Sequence, residues 1–198
     1  EFEEKMREFA NVKYAVAVNS GTSALHLIIK SLGIKDNDEV ITTPFSFIAS
    51  SNCILFERAK PVFVDIEDET YNINPDLIEE KITDKTKAIL AVDVFGHPPE
   101  WDRLEEIAKK HNLFLIEDSA EAFGSEYNGK KCGGFGDAGI FAFYPNKQIT
   151  TGEGGVILTN NEEIYNVSKS MRSQGRGEED RWLEHVRLGY NYRISDIN

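Results

Sequence analysis

The sequence predicts an α/β domain of three layers, in which helices cover both faces of a mainly parallel, mixed sheet. Two observations carry this prediction. Short apolar segments alternate with helical patterns up to residue 118, and such alternation is typical of a parallel sheet. The chain has 198 residues, of which 40% are hydrophobic, and this is enough for one sizeable core.

The predicted elements follow one another without a repeat, a linker or a low-complexity tract. Apolar runs predict strands at residues 13–18, 38–43, 61–65, 87–94 and 113–118. Helical patterns lie at residues 22–32, 47–57, 75–82 and 100–111. Beyond them, Asn128-Gly129 is typical of a tight hairpin turn, and the runs AGIFAFY and GGVILTN predict two more strands. We therefore expect one domain covering residues 1–198.

Lys147 is the candidate catalytic residue. It stands among polar neighbours in YPNKQITTGEGG, just before a glycine-rich turn and a strand. Asp118 ends the apolar strand LFLIED, and ligands of open α/β sheets bind beyond the carboxyl ends of strands. An amine and a strand-end carboxylate together fit pyridoxal 5′-phosphate (PLP), whose aldehyde binds an amine and whose ring nitrogen stays protonated beside an anion. Either residue alone is more often a solvated lysine or a turn residue, so the hypothesis needs the other parts of a cofactor site.

Those parts are predicted in two further segments. The letters NSGTS lead from the first strand into the first helix, which places Gly21, Thr22 and Ser23 at the helix start. Free backbone N–H groups and the helix dipole make such a start an anion site, although an ordinary Ser/Thr cap is the structural alternative. Phe47 follows an apolar strand and is the candidate to stack on the cofactor ring. An aromatic residue in that place is more often part of a core.

Composition narrows the class of protein. The net charge of −12 argues against nucleic acids and anionic membranes as partners. The two cysteines, Cys53 and Cys132, are far apart in sequence, which suits a reducing cytoplasm. Neither they nor the four histidines show the spacing of metal ligands, so no metal is expected. No apolar run approaches the roughly 20 residues that span a bilayer.

Long blocks of the sequence resemble one family, in the expected order. They are NSGTSALHL, EVITTPFSFIASSNCIL, KPVFVDIEDETYNI, LIEDSAEAFGSEYNGKKCGGFGDAGIFAFYPNKQITTGEGGVILTNN and HVRLGYNYRISDI. These blocks are similar to the DegT/DnrJ group of sugar aminotransferases, which belongs to the fold type I (aspartate aminotransferase-like) PLP enzymes. The resemblance implies a homodimer. It also implies that residues 1–198 form the large PLP-binding domain, lacking part of an amino-terminal segment and a smaller carboxyl-terminal domain.

The resemblance also implies a role for each candidate residue. Lys147 attaches the cofactor covalently, Asp118 pairs with its ring nitrogen and Glu121 approaches its ring hydroxyl. The implied stacking residue is Phe47. Phosphate binding falls to Thr22 and Ser23 at the helix start, together with Asn191, which reaches the phosphate of a neighbouring subunit.

Three positions refine the expectation. Many members of the family have a serine that binds phosphate five residues before the lysine, whereas this chain has Ala142, which has no hydrogen-bonding side chain. Many also have a glutamine at the position of Glu121. Relatives that remove a sugar hydroxyl have a histidine in place of the lysine, so Lys147 favours transamination over dehydration.

The expected reaction moves an amino group from an amino acid, usually glutamate in this family, to a keto sugar attached to a nucleotide, for amino-sugar and polysaccharide biosynthesis. Lys147 would act as the general base, and Asp118 would keep the ring an electron sink. Two alternatives stay open. One is a catalytically silent or regulatory fragment that keeps the fold, and the other is a different fold type I transaminase.

Overall fold

The computed structural model describes residues 1–177 and 184–197, which contain nine strands and five α-helices. The strands are β1 (Tyr14–Val18), β2 (Glu39–Thr42), β3 (Lys60–Phe63), β4 (Thr86–Val92), β5 (Phe114–Asp118), β6 (Glu126–Tyr127), β7 (Lys130–Lys131), β8 (Ala138–Ala142) and β9 (Gly155–Thr159). The helices are α1 (Phe2–Phe9), α2 (Gly21–Ser31), α3 (Ala49–Phe56), α4 (Trp101–His111) and α5 (Glu162–Arg172).

Seven strands form one mixed sheet in the order β1-β9-β8-β5-β4-β2-β3. The pairs β2·β3, β2·β4, β4·β5 and β5·β8 are parallel. Strand β9 runs antiparallel to both of its neighbours, β8 and β1. Strand β3 lies at the edge of the sheet, where Pro61 is tolerated because its missing N–H faces no partner strand. The mainly parallel, mixed sheet predicted from the sequence is confirmed.

Alternating side chains give each face of the sheet its own core. Val40 and Leu90 point to the face that is covered by α2, α3 and α5. Their neighbours Ile41 and Ile89 point to the opposite face, which α4 covers. Further along that opposite face, Phe141 of β8 packs with α1. The three-layer arrangement is therefore confirmed as well.

Local signals begin and end several helices as expected. Ser20 caps α2, its side chain accepting from the backbone N–H of Ser23. Asn161 caps α5 in the same way. Asn112 ends α4 in the left-handed conformation that favours asparagine and glycine. Strands β6 and β7 form the predicted hairpin, whose turn residues Asn128 and Gly129 both have positive φ.

One predicted helix, at residues 75–82, is wrong. The structure has two 3₁₀ turns there, Pro75–Leu77 and Glu79–Lys81. Tertiary packing overrides the helical pattern, because the two turns already bury Ile78 and pack Leu77 and Ile82 against the core on that face of the sheet. Elsewhere in the described ranges, 1–177 and 184–197, no helix is long and apolar enough to cross a membrane.

Candidate active site

A cavity of about 430 Å³ lies beyond the carboxyl ends of β5 and β8, next to the start of α2. It adjoins a second hollow of about 400 Å³, and the two share Phe47, Asp118, Glu121 and Lys147 in their walls. Six of the predicted site residues line the first cavity. They are Gly21, Thr22, Phe47, Asp118, Glu121 and Lys147.

Lys147 comes from the loop between β8 and β9. Its backbone N–H donates to the carbonyl of Tyr144 at 2.9 Å, which closes a turn. Its side chain is 15% exposed, and Nζ lies 3.3 Å from Oε1 of Glu121. The amine therefore reaches into the cavity instead of into solvent.

Asp118 ends β5 and is 5% exposed. The hydroxyl of Ser50 donates to its Oδ2 at 2.7 Å, and the backbone N–H of Ala120 donates to its Oδ1 at 3.2 Å. Burial raises the pKa of Asp118; the bonds from Ser50 and Ala120 and the charge of Lys147 oppose that rise. A buried carboxylate held mainly by neutral donors favours a cationic partner, such as a protonated ring nitrogen.

Glu121 belongs to the turn that follows β5. Oε1 faces Lys147, and Oε2 accepts from the backbone N–H of Phe95 at 3.2 Å. Phe95 has a φ of 54°, a conformation that a non-glycine residue rarely adopts. One carboxylate thus joins the lysine loop to the strained turn after β4.

The start of α2 forms the other end of the cavity. Gly21 lies so close to β8 that an added Cβ would be 2.7 Å from Cβ of Ala142. A Cβ on Gly155 would likewise be 2.6 Å from the carbonyl of Ser20. The first N–H groups of a helix have no acceptor within it, so those of Gly21 and Thr22 are available to an anion.

Two predicted residues lie outside the cavity lining. Ser23 is buried, and its hydroxyl donates to Oδ1 of Asn19 at 2.7 Å. Asn191 is exposed and forms an isolated bridge with Ser173. Its neighbours Tyr190 and Tyr192 stack on each other, with ring centroids 4.8 Å apart.

Sequence reasoning missed several residues of the site. Ser50 is the most important because it bonds directly to Asp118. Its only sequence signal is its position three residues after Phe47, at the beginning of a helix. Tyr144, Asn146 and Glu153 also line the cavity, and all three flank the lysine in the loop between β8 and β9.

The residues present fit PLP. Lys147 offers an amine, and Asp118 offers a buried anion in the wall of the same cavity. The helix start offers backbone donors, and it lies so close to β8 that a Cβ at Gly21 would meet the side chain of Ala142. Phe47 is 77% exposed at the rim, where its ring is free to cover a ligand.

Comparison with known proteins identifies the family. The profile of the DegT/DnrJ/EryC1/StrS aminotransferase family matches residues 1–198. The chain belongs to this family. The family depends on PLP, which confirms the cofactor predicted from the sequence.

Individual relatives agree with this assignment. GDP-perosamine synthase of Escherichia coli O157:H7 is 47% identical over 99% of this chain and 54% of its own length. PseC of Helicobacter pylori, an aminotransferase involved in the biosynthesis of pseudoaminic acid, is 40% identical, with a TM-score of 0.93 over 99% of this chain and 53% of its own. NtdA of Bacillus subtilis, solved with bound pyridoxamine phosphate, is 31% identical, with a TM-score of 0.93 over 99% of this chain and 44% of its own. The chain thus spans about half the length of the relatives it matches.

Proposed function

We propose that this chain is the cofactor-binding part of a PLP-dependent aminotransferase that moves an amino group from glutamate to a keto sugar carried on a nucleotide. The observation that carries the proposal is the placement of Lys147 and Asp118 in the wall of one cavity. Membership of the aminotransferase family supports it. The names of relatives support the substrate class, since they include a GDP-perosamine synthase and a UDP-amino-sugar transaminase.

We assign the roles as follows. Lys147 binds the cofactor, Asp118 pairs with its ring nitrogen, and Glu121 lies beside its ring hydroxyl. The phosphate is held at the helix start by Gly21 and Thr22. Two further assignments complete the site: Phe47 covers the ring, and Ser23 fixes the helix start through its bonds to Asn19 and Ser20.

In the reaction, PLP supplies an electron sink next to the carbon that loses a proton. The amine of Lys147, freed when the amino donor takes its place, would take that proton from the donor carbon and deliver it to the cofactor. Asp118, when ionised, would hold the ring nitrogen protonated. Its burial excludes water, which strengthens this pairing.

A spectroscopic half-reaction tests the proposal. The protein is loaded with PLP, its visible absorbance band is recorded, and glutamate is added without a keto sugar. We expect the band to shift as the amino group is taken up, with one equivalent of 2-oxoglutarate released. Addition of a GDP- or UDP-linked keto sugar should then restore the band. If a 2-oxo acid restored the band and neither sugar did, a different fold type I transaminase would be favoured.

The catalytically silent alternative predicts another outcome. A regulatory protein of this fold would show the PLP band without any change on adding glutamate. Lys147→Ala tests the covalent link that either description requires, because the covalent band should vanish while the fold persists. A wild-type band that never responds to any amino donor would leave the silent alternative as the better description.

We also propose a homodimer that works in the cytoplasm on amino-sugar precursors of polysaccharides. Large apolar side chains are exposed beside the cavity and along α3, including Phe47, Ile48, Leu55 and Phe56. A second subunit would cover them and could bring its Asn191 to the phosphate. Both cysteines are free, which supports a reducing compartment. Sedimentation of the purified protein tests the dimer, and a monomer at micromolar concentration would contradict it.

A further inference from the structure

A second group of polar side chains lies on the opposite face of β5 from the cavity. Asp93 follows β4, Glu117 belongs to β5, and Ser119 comes directly after it. All three are fully buried. Asp118 lies between Glu117 and Ser119 in sequence, so its side chain points to the other face of the strand.

The hydroxyl of Ser119 contacts both acids. It bonds to Oδ2 of Asp93 and, at 2.7 Å, to Oε1 of Glu117. A hydroxyl carries one proton, so it can donate one full hydrogen bond. The other short contact is best satisfied when a protonated carboxyl donates to the serine oxygen. The geometry therefore favours one neutral acid in the pair.

The remaining bonds decide which acid is ionised. The backbone N–H of Gly133 donates to Oε1 of Glu117 at 2.7 Å, and that of Phe135 donates to Oε2 at 2.8 Å. Asp93 receives a longer bond, 3.3 Å, from the indole of Trp101 and a bond from the thiol of Cys132, which is a weak donor. Two short backbone donors stabilise a charge on Glu117, so the proton belongs on Asp93.

Electrostatics point the same way. Burial raises the pKa of both acids, and the nearby charge of Glu117 raises that of Asp93 further. The other titratable groups facing the pair are Cys132 and, across the strand, Asp118. Burial raises the pKa of the Cys132 thiol, which stays protonated and adds no charge to the pair.

We propose that Asp93, Ser119 and Glu117 form a buried relay that holds a single proton on Asp93 and thereby positions the turn carrying Asp118. The backbone N–H of Asp93 donates to the carbonyl of Asp118 at 3.1 Å. The N–H of Ser119 donates to the carbonyl of Ile140 at 3.2 Å. The relay thus fixes the backbone on both sides of the proposed ring-nitrogen partner.

A metal ion is the competing explanation. Ligand atoms of Asp93, Glu117 and Cys132 lie within 4.8 Å of one another. However, both oxygens of Glu117 already accept short bonds from backbone N–H groups, and a cation beside those donors would be repelled. Elemental analysis of the purified protein distinguishes the two, because the relay predicts no stoichiometric metal.

Infrared spectroscopy of wild type, Asp93→Asn and Glu117→Gln tests the relay. We expect a carbonyl stretch of a buried, protonated carboxylic acid in wild type at pH 8. The band should vanish in Asp93→Asn and persist in the surface control Asp102→Asn. It would overturn the proposal if wild type lacked the band, if the band survived in Asp93→Asn, or if one equivalent of metal were bound.

The two isosteric variants should also differ in stability. Asparagine can donate to Ser119 as the protonated Asp93 does, so Asp93→Asn should fold normally. In Glu117→Gln the amide NH₂ must face the backbone N–H of Gly133 or of Phe135. Two donors then face each other, so the unfolding constant of this variant should rise about tenfold or more. If Asp93→Asn were instead the less stable of the two variants, the proton would belong on Glu117, which would contradict the relay. Should Glu117→Gln not fold, the infrared comparison of wild type with Asp93→Asn still decides.

The pH dependence of unfolding gives a third readout. The folded protein keeps the proton on Asp93, whereas the unfolded chain loses it above the ordinary aspartate pKa of about 3.9. Wild-type stability should therefore fall as pH rises from there to the raised pKa of Asp93. Relative to that of Asp93→Asn, the unfolding constant of wild type should grow about tenfold per pH unit in this window. Parallel curves for the two proteins would contradict the proton assignment.

The positioning role has its own measurement. Ser119→Ala cuts the relay, and we expect its dissociation constant for PLP to rise about tenfold, while Asp93→Asn stays close to wild type. This arm rests on the proposed function, but the infrared and unfolding arms do not. Failure of PLP to bind wild type would therefore refute the function without touching the relay. Unchanged PLP affinity in Ser119→Ala would refute the positioning role alone.

Discussion

The two ends of the cavity are built from different parts of the chain. At one end, which we call the ring end, the functional groups are the side chains of Lys147, Asp118 and Glu121. At the other, the phosphate end, the groups are backbone N–H donors of Gly21 and Thr22, packed against Ala142. The ring end depends on functional side chains. The phosphate end depends on the absence of a side chain at Gly21, which lets its backbone lie close to β8.

This difference predicts opposite sensitivities to mutation. Removing atoms should be damaging at the ring end, because each side chain carries out one chemical task or supports one that does. Adding carbon should be damaging at the phosphate end, because the backbone must approach the ligand and β8 closely.

The largest effect is expected for Lys147→Ala. The variant has no amine to bind the cofactor or to move the proton, so kcat of the glutamate half-reaction should fall at least about a thousandfold. Borohydride reduction followed by mass spectrometry should label wild type at Lys147 and leave the variant unlabelled. Lys85→Ala, an exposed lysine, is the matched control. Retained labelling in Lys147→Ala would place the covalent site elsewhere, outside the ring end.

Ser50→Ala should give the next largest effect, because it removes a donor to the charged Asp118. We expect a cost of about 2 kcal/mol in transition-state free energy, roughly thirtyfold in kcat/KM at neutral pH. The bond from Ser50 lowers the pKa of Asp118, so its loss should raise that pKa further. Asp118 must be ionised to pair with the ring nitrogen, so the acid limb of the pH profile should move to higher pH.

The control for this prediction is Ser51→Ala, which alters the neighbouring residue of the same helix. It should leave the pH profile unchanged, since Ser51 is not a partner of Asp118. A shift of the Ser50→Ala profile to lower pH would show that the serine does not support the ionised form.

How far the sequence predicts this site depends on whether a residue's role is local. Lys147 and Asp118 are predictable because each stands at a recognisable junction, a glycine-rich turn and a strand end. Ser50 is not, because its bond to Asp118 requires α3 to approach β5 from 68 positions away in sequence. The contact of Asp93 with Ser119 and Glu117 is hidden for the same reason.

The fold follows a similar division. Short apolar runs predict every strand of the main sheet. Strands of a parallel sheet are buried on both faces, so they are apolar along most of their length. The helix predicted at residues 75–82 does not form, because there a local pattern is overridden by tertiary packing. Leu77, Ile78 and Ile82 have helical spacing, but tertiary packing satisfies them with two 3₁₀ turns.

At the phosphate end, Gly21→Ala should weaken PLP binding by about 1 to 2 kcal/mol. Alanine is the better helix former, so the cost would come only from its Cβ, which would lie 2.7 Å from that of Ala142. Ala142→Gly removes the opposing atom, and the double variant should recover most of the affinity. Equal affinities for Gly21→Ala and wild type, measured by equilibrium dialysis, would show that this end tolerates added carbon.

The smallest effect is expected for Ala142→Ser, and it should be a gain. The substitution adds an atom at the crowded end, but that atom is a hydrogen-bond donor beside the proposed phosphate position. We expect PLP to bind tighter by about 0.5 to 1 kcal/mol, a few-fold in the dissociation constant. Ala142→Cys is the matched control, since a thiol of similar shape is a weak donor. If serine and cysteine weaken binding equally, crowding by Gly21 outweighs hydrogen bonding, and the phosphate end relies on its backbone donors alone.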